Sequence, residues 1–219
     1  MSTNVYDFAI ESFTISNTRS RHEDTDFVSA SLAVAGRPAL STAQSLGNLN
    51  NGTYPTQVRF TAVPVADNET AVFSYVMVNN GHSDPGTVMK TLEDAVQKLA
   101  TSGANAAASA AGDAIGATLG ASIGTAIVPI IGSALGALAG WLVSEAGYLV
   151  FADCDGAVAA AVHILPGSEI PGLLKGAGVM YQDDHHPGTD SPAGCGSNSV
   201  YDVKWFVTWT TPPRRYRGG

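Results

Sequence analysis

The stretch "DDHHPGTDSPAGCGSNS" gathers Asp183, Asp184, His185, His186, Asp190, Ser191, Cys195 and Ser197. Imidazole beside carboxylate and thiol or hydroxyl is the composition of a nucleophilic centre, with histidine as base, and of a zinc site. Neither pattern is regular here. "GCGSNS" is not the G-x-S-x-G turn that presents a catalytic serine, and the spacing of His185, His186 and Cys195 matches no regular zinc arrangement. A hydrolase working through residues 185–197 therefore ranks third among the functional readings, no catalytic residue is assigned, and a non-enzymatic protein is expected. The loop reads instead as a surface excursion pinned by a bridge between Cys195 and Cys154. That bridge would close about 41 residues and contribute ~3–4 kcal/mol through loop entropy, although a reduced pair fits the same spacing.

A second chemistry lies in the acids. "SRHEDTDF" places Glu23, Asp24 and Asp26 just before a strand, and "FADCDG" places Asp153 and Asp155 after an apolar stretch. Calcium takes several carboxylate and carbonyl oxygens, which loops at one end of a sandwich can gather from distant positions. "DCDG" is only a fragment of a calcium loop, and the plain alternative is that these acids are solvated turns and caps. Calcium is thus the one cofactor that the sequence raises, and none is certain.

The largest signal is the absence of charge. From Gly112 to Val143 the chain reads "GDAIGATLGASIGTAIVPIIGSALGALAGWLV", with Asp113 its sole charged residue. Gly112, Gly116, Gly120 and Gly124 recur every four residues, and Gly132, Gly136 and Gly140 resume the register, followed by Trp141. On a helix they make one flat face for close packing, a device used mostly in bilayers. In water each glycine costs roughly 0.8–1 kcal/mol against alanine, so tight packing or lipid must compensate.

Residues 114–144 would make about 46 Å of helix, more than the ~20 residues that cross a bilayer core, and Pro129 interrupts them. A helical hairpin turning near "VPIIG" is the simplest solution. Asp113 and Glu145 each lie 16 residues from Pro129, so both acids would reach the same depth, about 24 Å from the tip. There they form a rim whose protonation eases insertion. Two other readings of the segment stand beside this one: the permanent core of a soluble protein, and an interface between copies of the chain. The lack of Lys or Arg between Lys98 and Lys175 also weakens any attraction to anionic lipid.

Over residues 112–143 the chain resembles the hydrophobic helical hairpins of pore-forming bacteriocins and toxins, and glycine-zipper membrane segments in general. The resemblance implies a soluble form that hides the hairpin and an inserted form that exposes it. It carries over no functional residue, and no family is legible in the flanking regions.

The elements that would hold such a segment are strands. "FVSASLAV" puts Val28, Ala30, Leu32 and Val34 on one face, "QVRFTAVPV" and "AVFSYVMVN" share its β-rich character, and "NNG" and "ADNET" supply turns. At Asp84-Pro85 the period changes: Val88, Leu92, Val96 and Leu99 predict an amphipathic helix continuing into "TSGANAAASAAG". Strand-like text returns in "AVAAAVHIL", followed by a long loop from about Pro166 to Asn198. The chain then alternates cleanly at Tyr201, Val203, Trp205, Val207 and Trp209.

Composition bounds the rest. The 219 residues are 45% hydrophobic and only 14% charged, so much of the chain must be shielded from water. A net charge of −8 opposes nucleic acid. The N-terminus has neither the basic start nor the apolar run of a secretory signal, which leaves location open and makes release without a cleavable signal the expected route out of a cell.

The expected fold is α+β: antiparallel, sandwich-like sheets from N- and C-terminal strands around a central glycine-rich helical hairpin. A single domain over 1–211 comprises a β region (1–80), a helical insertion (84–149) and a second β region with its long loop (150–211), ahead of a flexible basic tail (212–219). The expected function is a pore-forming or toxin-like protein whose hairpin inserts or oligomerises at a lipid bilayer. The runner-up is a soluble calcium-dependent β-sandwich that binds or self-assembles with its hairpin permanently buried.

Overall fold

Period-two alternation gives the C-terminal strand its two faces. In β9 (Val200–Trp209) Tyr201, Val203, Trp205 and Val207 are buried, whereas Asp202, Lys204, Phe206 and Thr208 between them are partly exposed. A computed structural model, which describes residues 2–18, 24–80, 83–110, 156–174, 176–187 and 199–210, sets this strand inside the first of two antiparallel sheets. That sheet runs β4 (Gly52–Pro55), β1 (Thr3–Asn17), β9 and β8 (Val179–His186), with β5 (Arg59–Ala66) also paired to β1. The second runs β3 (Leu40–Leu49), β2 (Asp24–Val34), β6 (Thr70–Asn80) and β7 (Gly156–Pro166).

The 15-residue β1 is long enough to hold two partners on one side. Its N-terminal half pairs with β5 and its C-terminal half with β4. Opposite Asp7 the β5 register slips, and Ala62 takes φ 55°, the left-handed region. The Asp7 carboxylate fixes this bulge by accepting from the Ala62 amide at 2.9 Å, from the Arg59 guanidinium at 2.8 Å and from the Thr210 hydroxyl.

The two sheets face each other directly. Tyr6, Phe8, Ile10 and Phe13 of β1 and Trp205 of β9 meet Val28, Ala30 and Leu32 of β2 and Phe73 and Met77 of β6 in one continuous core. Phe73 lies 5.4 Å from Trp205 and 6.2 Å from Phe8, centroid to centroid. This overturns the expected α+β architecture with sheets wrapped around a central hairpin. Among the described residues the layer between the sheets is filled by strand side chains, and large aromatics from both sides close the gap without a helix between them. Residues 111–155, which contain the expected hairpin, lie outside the described residues.

Helix α1 (Pro85–Ala110) lies on the opposite face of the second sheet, against β2, β6 and β3. It starts where the sequence predicts. Asp84 caps it, its carboxylate accepting from the Thr87 amide at 2.8 Å, and Pro85 occupies the first turn, where no amide is needed. Val88, Leu92, Val96 and Ala100 form its buried stripe. With core on one side and helix on the other, every residue of β6 is buried, and Ser31 and Ser74 satisfy each other at 2.6 Å.

Among its described residues, the expected loop from Pro166 to Asn198 contains two elements that the sequence does not reveal: a short helix α2 (Ile170–Leu173) and β8 itself. Strand β7 was legible. It pairs with β6 from Thr70↔Pro166 to Asn79↔Gly156, so these sequence-distant strands form the two legs of one antiparallel ladder.

Candidate functional site

Strands β7 and β8 form corresponding edges of the two sheets, and polar side chains converge between them. Tyr75 comes from β6, His163 from β7, and Asp184 and His186 from β8. Trp205 of β9 packs against His163, with the rings tilted by 35° and 4.2 Å between centroids. Period-two geometry explains why Asp184 and His186 point inward together, while Asp183 and His185 point out. Tyr75, His163, His186 and Trp205 are buried, and Asp184 is nearly so.

The network's hydrogen bonds are few and determinate. The Tyr75 hydroxyl donates to Asp184 Oδ2 at 2.7 Å, and His163 Nε2 meets the same oxygen at 2.8 Å. Tyr75 has one proton to give, and it goes to the carboxylate. At its 2.8 Å contact His186 Nε2 must therefore donate to the phenol oxygen, which assigns His186 the Nε2–H tautomer. His186 Nδ1 and His163 Nδ1 then have no hydrogen-bond partner among the described residues, and neither has Trp205 Nε1.

Electrostatics follow from this arrangement. Burial alone would raise Asp184, but donation from His163, the charge attraction to it and donation from Tyr75 outweigh burial and hold the carboxyl below its usual range. Burial pushes Tyr75 far above the ordinary phenol value, and the adjacent Asp184 charge adds to the shift. His186 is lowered to about 4, first by burial, against a partial pull upward from Asp184. The cluster thus holds an anion, a neutral phenol and a neutral imidazole at pH 7. Its chemistry is proton-linked: acid converts His186 into a buried cation.

The histidine loop divides. His185 is exposed and pairs through Nδ1 with Asp202 at 2.6 Å, on the opposite face of β8 from His186. Ser191, Cys195 and Ser197 lie outside the described residues, so no nucleophile is brought to either imidazole among the described residues. Of the acids considered for calcium, Asp26 is fully buried in β2 and accepts from the Tyr201 hydroxyl of the other sheet at 3.0 Å. Asp24 begins the same strand, and Glu23, Asp153 and Asp155 lie outside the described residues. Among the described residues no group of three or more His, Cys, Asp or Glu side chains is arranged to hold a metal. Gly112, Gly116, Gly120, Gly124, Pro129, Gly132, Gly136, Gly140 and Trp141, the rim acids Asp113 and Glu145, and both Cys154 and Cys195 also fall outside them. No helix among the described residues is long and apolar enough to cross a membrane.

A concavity of about 280 Å³ sits at the opposite edge of the sandwich, with Leu32, Val34, Leu40 and Val63 in its wall. Arg37 borders it, but its guanidinium is held by Glu69 at 2.7 and 2.9 Å and by the Pro64 carbonyl. No protein-family model matches the chain, and no curated protein matches it.

Tyr75 and His163 were not singled out from the sequence. The available signal was an interrupted pattern: His163 breaks the inward series Ala159, Ala161 and Leu165, and on β8 the inward series ends in Gln182, Asp184 and His186. Polar residues at inward positions need partners, and here they are one another.

Proposed function

We propose that the protein acts at lipid bilayers through the uncharged stretch 114–144, carried as an insertion on a β-sandwich whose described strands pair with one another. The pairing of Asn79 with Gly156 is the observation that carries this reading. Adjacent antiparallel strands need only a two-residue turn, yet β6 and β7 are joined through residues 81–155. The insertion therefore interrupts a hairpin: its α1 is packed on β2, β6 and β3, and every described strand pair is formed by residues outside 81–155. An apolar run of that length needs cover, from its own protein, a sister chain or hydrocarbon, because water charges about 25 cal/mol for each Å² left exposed. The calcium-dependent alternative is weakened by Asp26, whose carboxylate is spent between the sheets.

The test is dye release from phosphatidylcholine–phosphatidylglycerol vesicles at pH 7.4 and pH 5. Full-length protein is expected to bind and release dye, and Ile127→Asp, which places a charge near the middle of the apolar run, is expected to lose release. Intact, unbound vesicles at both pH values would overturn the reading.

A further inference from the structure

The cluster described above is also a mechanical link, because each of its hydrogen bonds between Tyr75 or His163 and Asp184 or His186 crosses from one sheet to the other. It lies on the edge where β7 meets β8, beside the second polar crossing, Tyr201 to Asp26, since Tyr201 is the register partner of His186. We propose that this edge is an acid-released latch: protonation of His186 at Nδ1 undoes the link between β8 and the β6–β7 pair and parts the sheets there.

On His186 the geometry gives an incoming proton one place to go. His186 Nε2 already carries a proton, committed to Tyr75, so acid adds only to Nδ1, a buried atom with no acceptor among the described residues. Among the described residues, Tyr75 faces His186 from β6, His163 from β7, Asp184 from β8 and Tyr201 from β9, while His185 and Asp202 act on it from the other face of β8. Asp184 and Asp202 favour a charged His186, whereas His163 and His185 oppose it. Both carboxylates are already engaged, Asp184 by two donors and Asp202 by His185. Burial therefore decides, and the new imidazolium is stabilised only when the sheets part and water reaches it. What the opening serves rests on the bilayer reading: β7 begins directly after the 81–155 insertion, so freeing its edge loosens the point where the insertion rejoins the sandwich.

Amide hydrogen exchange on the full chain, without lipid, tests the latch separately from that reading. Between pH 7 and pH 4.5, after correction for intrinsic rates, β7 and β8 are expected to lose protection about 50-fold more than β1 and β2 do. His186→Gln, which keeps an N–H for Tyr75 but cannot take the proton, is expected to abolish the difference. Uniform loss across all strands, or a difference that survives in His186→Gln, would overturn the latch. Should that variant not fold, the His186 imidazole resonance of the native chain decides. Titration together with the loss of protection supports the latch, and titration near pH 6.5 with β7 and β8 still protected refutes it. Opening without vesicle leakage would support the latch and overturn the bilayer reading alone.

Discussion

Tyr75 and Asp184, 109 positions apart, meet at 2.7 Å across the two sheets, and the phenol serves two partners at once. It gives its proton to the carboxylate and takes one from His186. Tyr75→Phe keeps the ring and removes both bonds, leaving His186 Nε2–H buried without an acceptor. Urea unfolding at pH 7 is expected to show a loss of about 3 kcal/mol. Tyr54→Phe, whose hydroxyl bonds only Asn50 among the described residues, in an exposed turn, is the control, and it is expected to lose about 1 kcal/mol or less.

Stability is expected to fall with acid in a defined window. His186 has a folded value of about 4 against 6.5 for the free side chain, so between those values the unfolded chain binds more protons than the folded one. The His186 contribution is complete above pH 6.5 and is lost as pH falls towards 4. It amounts to about 2 kcal/mol between pH 7 and pH 4.5. Asp184 adds a second loss below its free value of 3.8, because its folded value is lower still. Urea midpoints at pH 7, 5.5 and 4.5 measure the first decline, and a flat profile would remove it.

Gly167 has no room for a side chain. A Cβ there would stand 2.0 Å from the Ala66 carbonyl oxygen, while the Gly167 amide donates to the Glu69 carbonyl at 2.7 Å. Gly167→Ala must move backbone against backbone and is expected to cost about 1–3 kcal/mol. Gly172→Ala on α2, where a Cβ meets nothing within 4 Å, is expected to stay within about 0.5 kcal/mol of the native chain. Thermal melts of the two variants side by side check the contrast.

Ala62 is the one described non-glycine residue with positive φ, held there by Asp7. Left-handed backbone costs an alanine about 1–2 kcal/mol, so Ala62→Gly is expected to raise stability by up to about 1 kcal/mol once glycine's extra unfolded-state entropy is subtracted. Asp7→Ala removes what holds the bulge and is expected to lower stability by about 1–3 kcal/mol. Equilibrium denaturation of the pair measures both signs.

Legibility in the sequence followed periodicity. Val28 to Val34, Tyr201 to Trp209 and the Val88–Leu92–Val96 stripe announced β2, β9 and α1, because each carries its apolar side chains at the spacing of its element. "VMYQDDHH" does not announce β8, since three of its four inward positions, Gln182, Asp184 and His186, are polar and its proline- and glycine-rich surroundings read as loop. The cluster was hidden for the same reason: Asp184 and His186 look like surface residues until Tyr75 and His163 arrive from strands distant in sequence. The sequence misleads on architecture because its most apolar segment points to a central core, whereas Phe8, Phe13, Phe73 and Trp205 fill that space themselves.

With Asn79 and Gly156 as register partners, the chain leaves the sandwich and returns to it on neighbouring strands, about 5 Å apart. Such a doorway is a natural splice point. Because α1 covers β2, β6 and β3, it belongs to the scaffold, and a foreign module that departs after Ala110 and rejoins at Gly156 leaves that cover and both jambs in place.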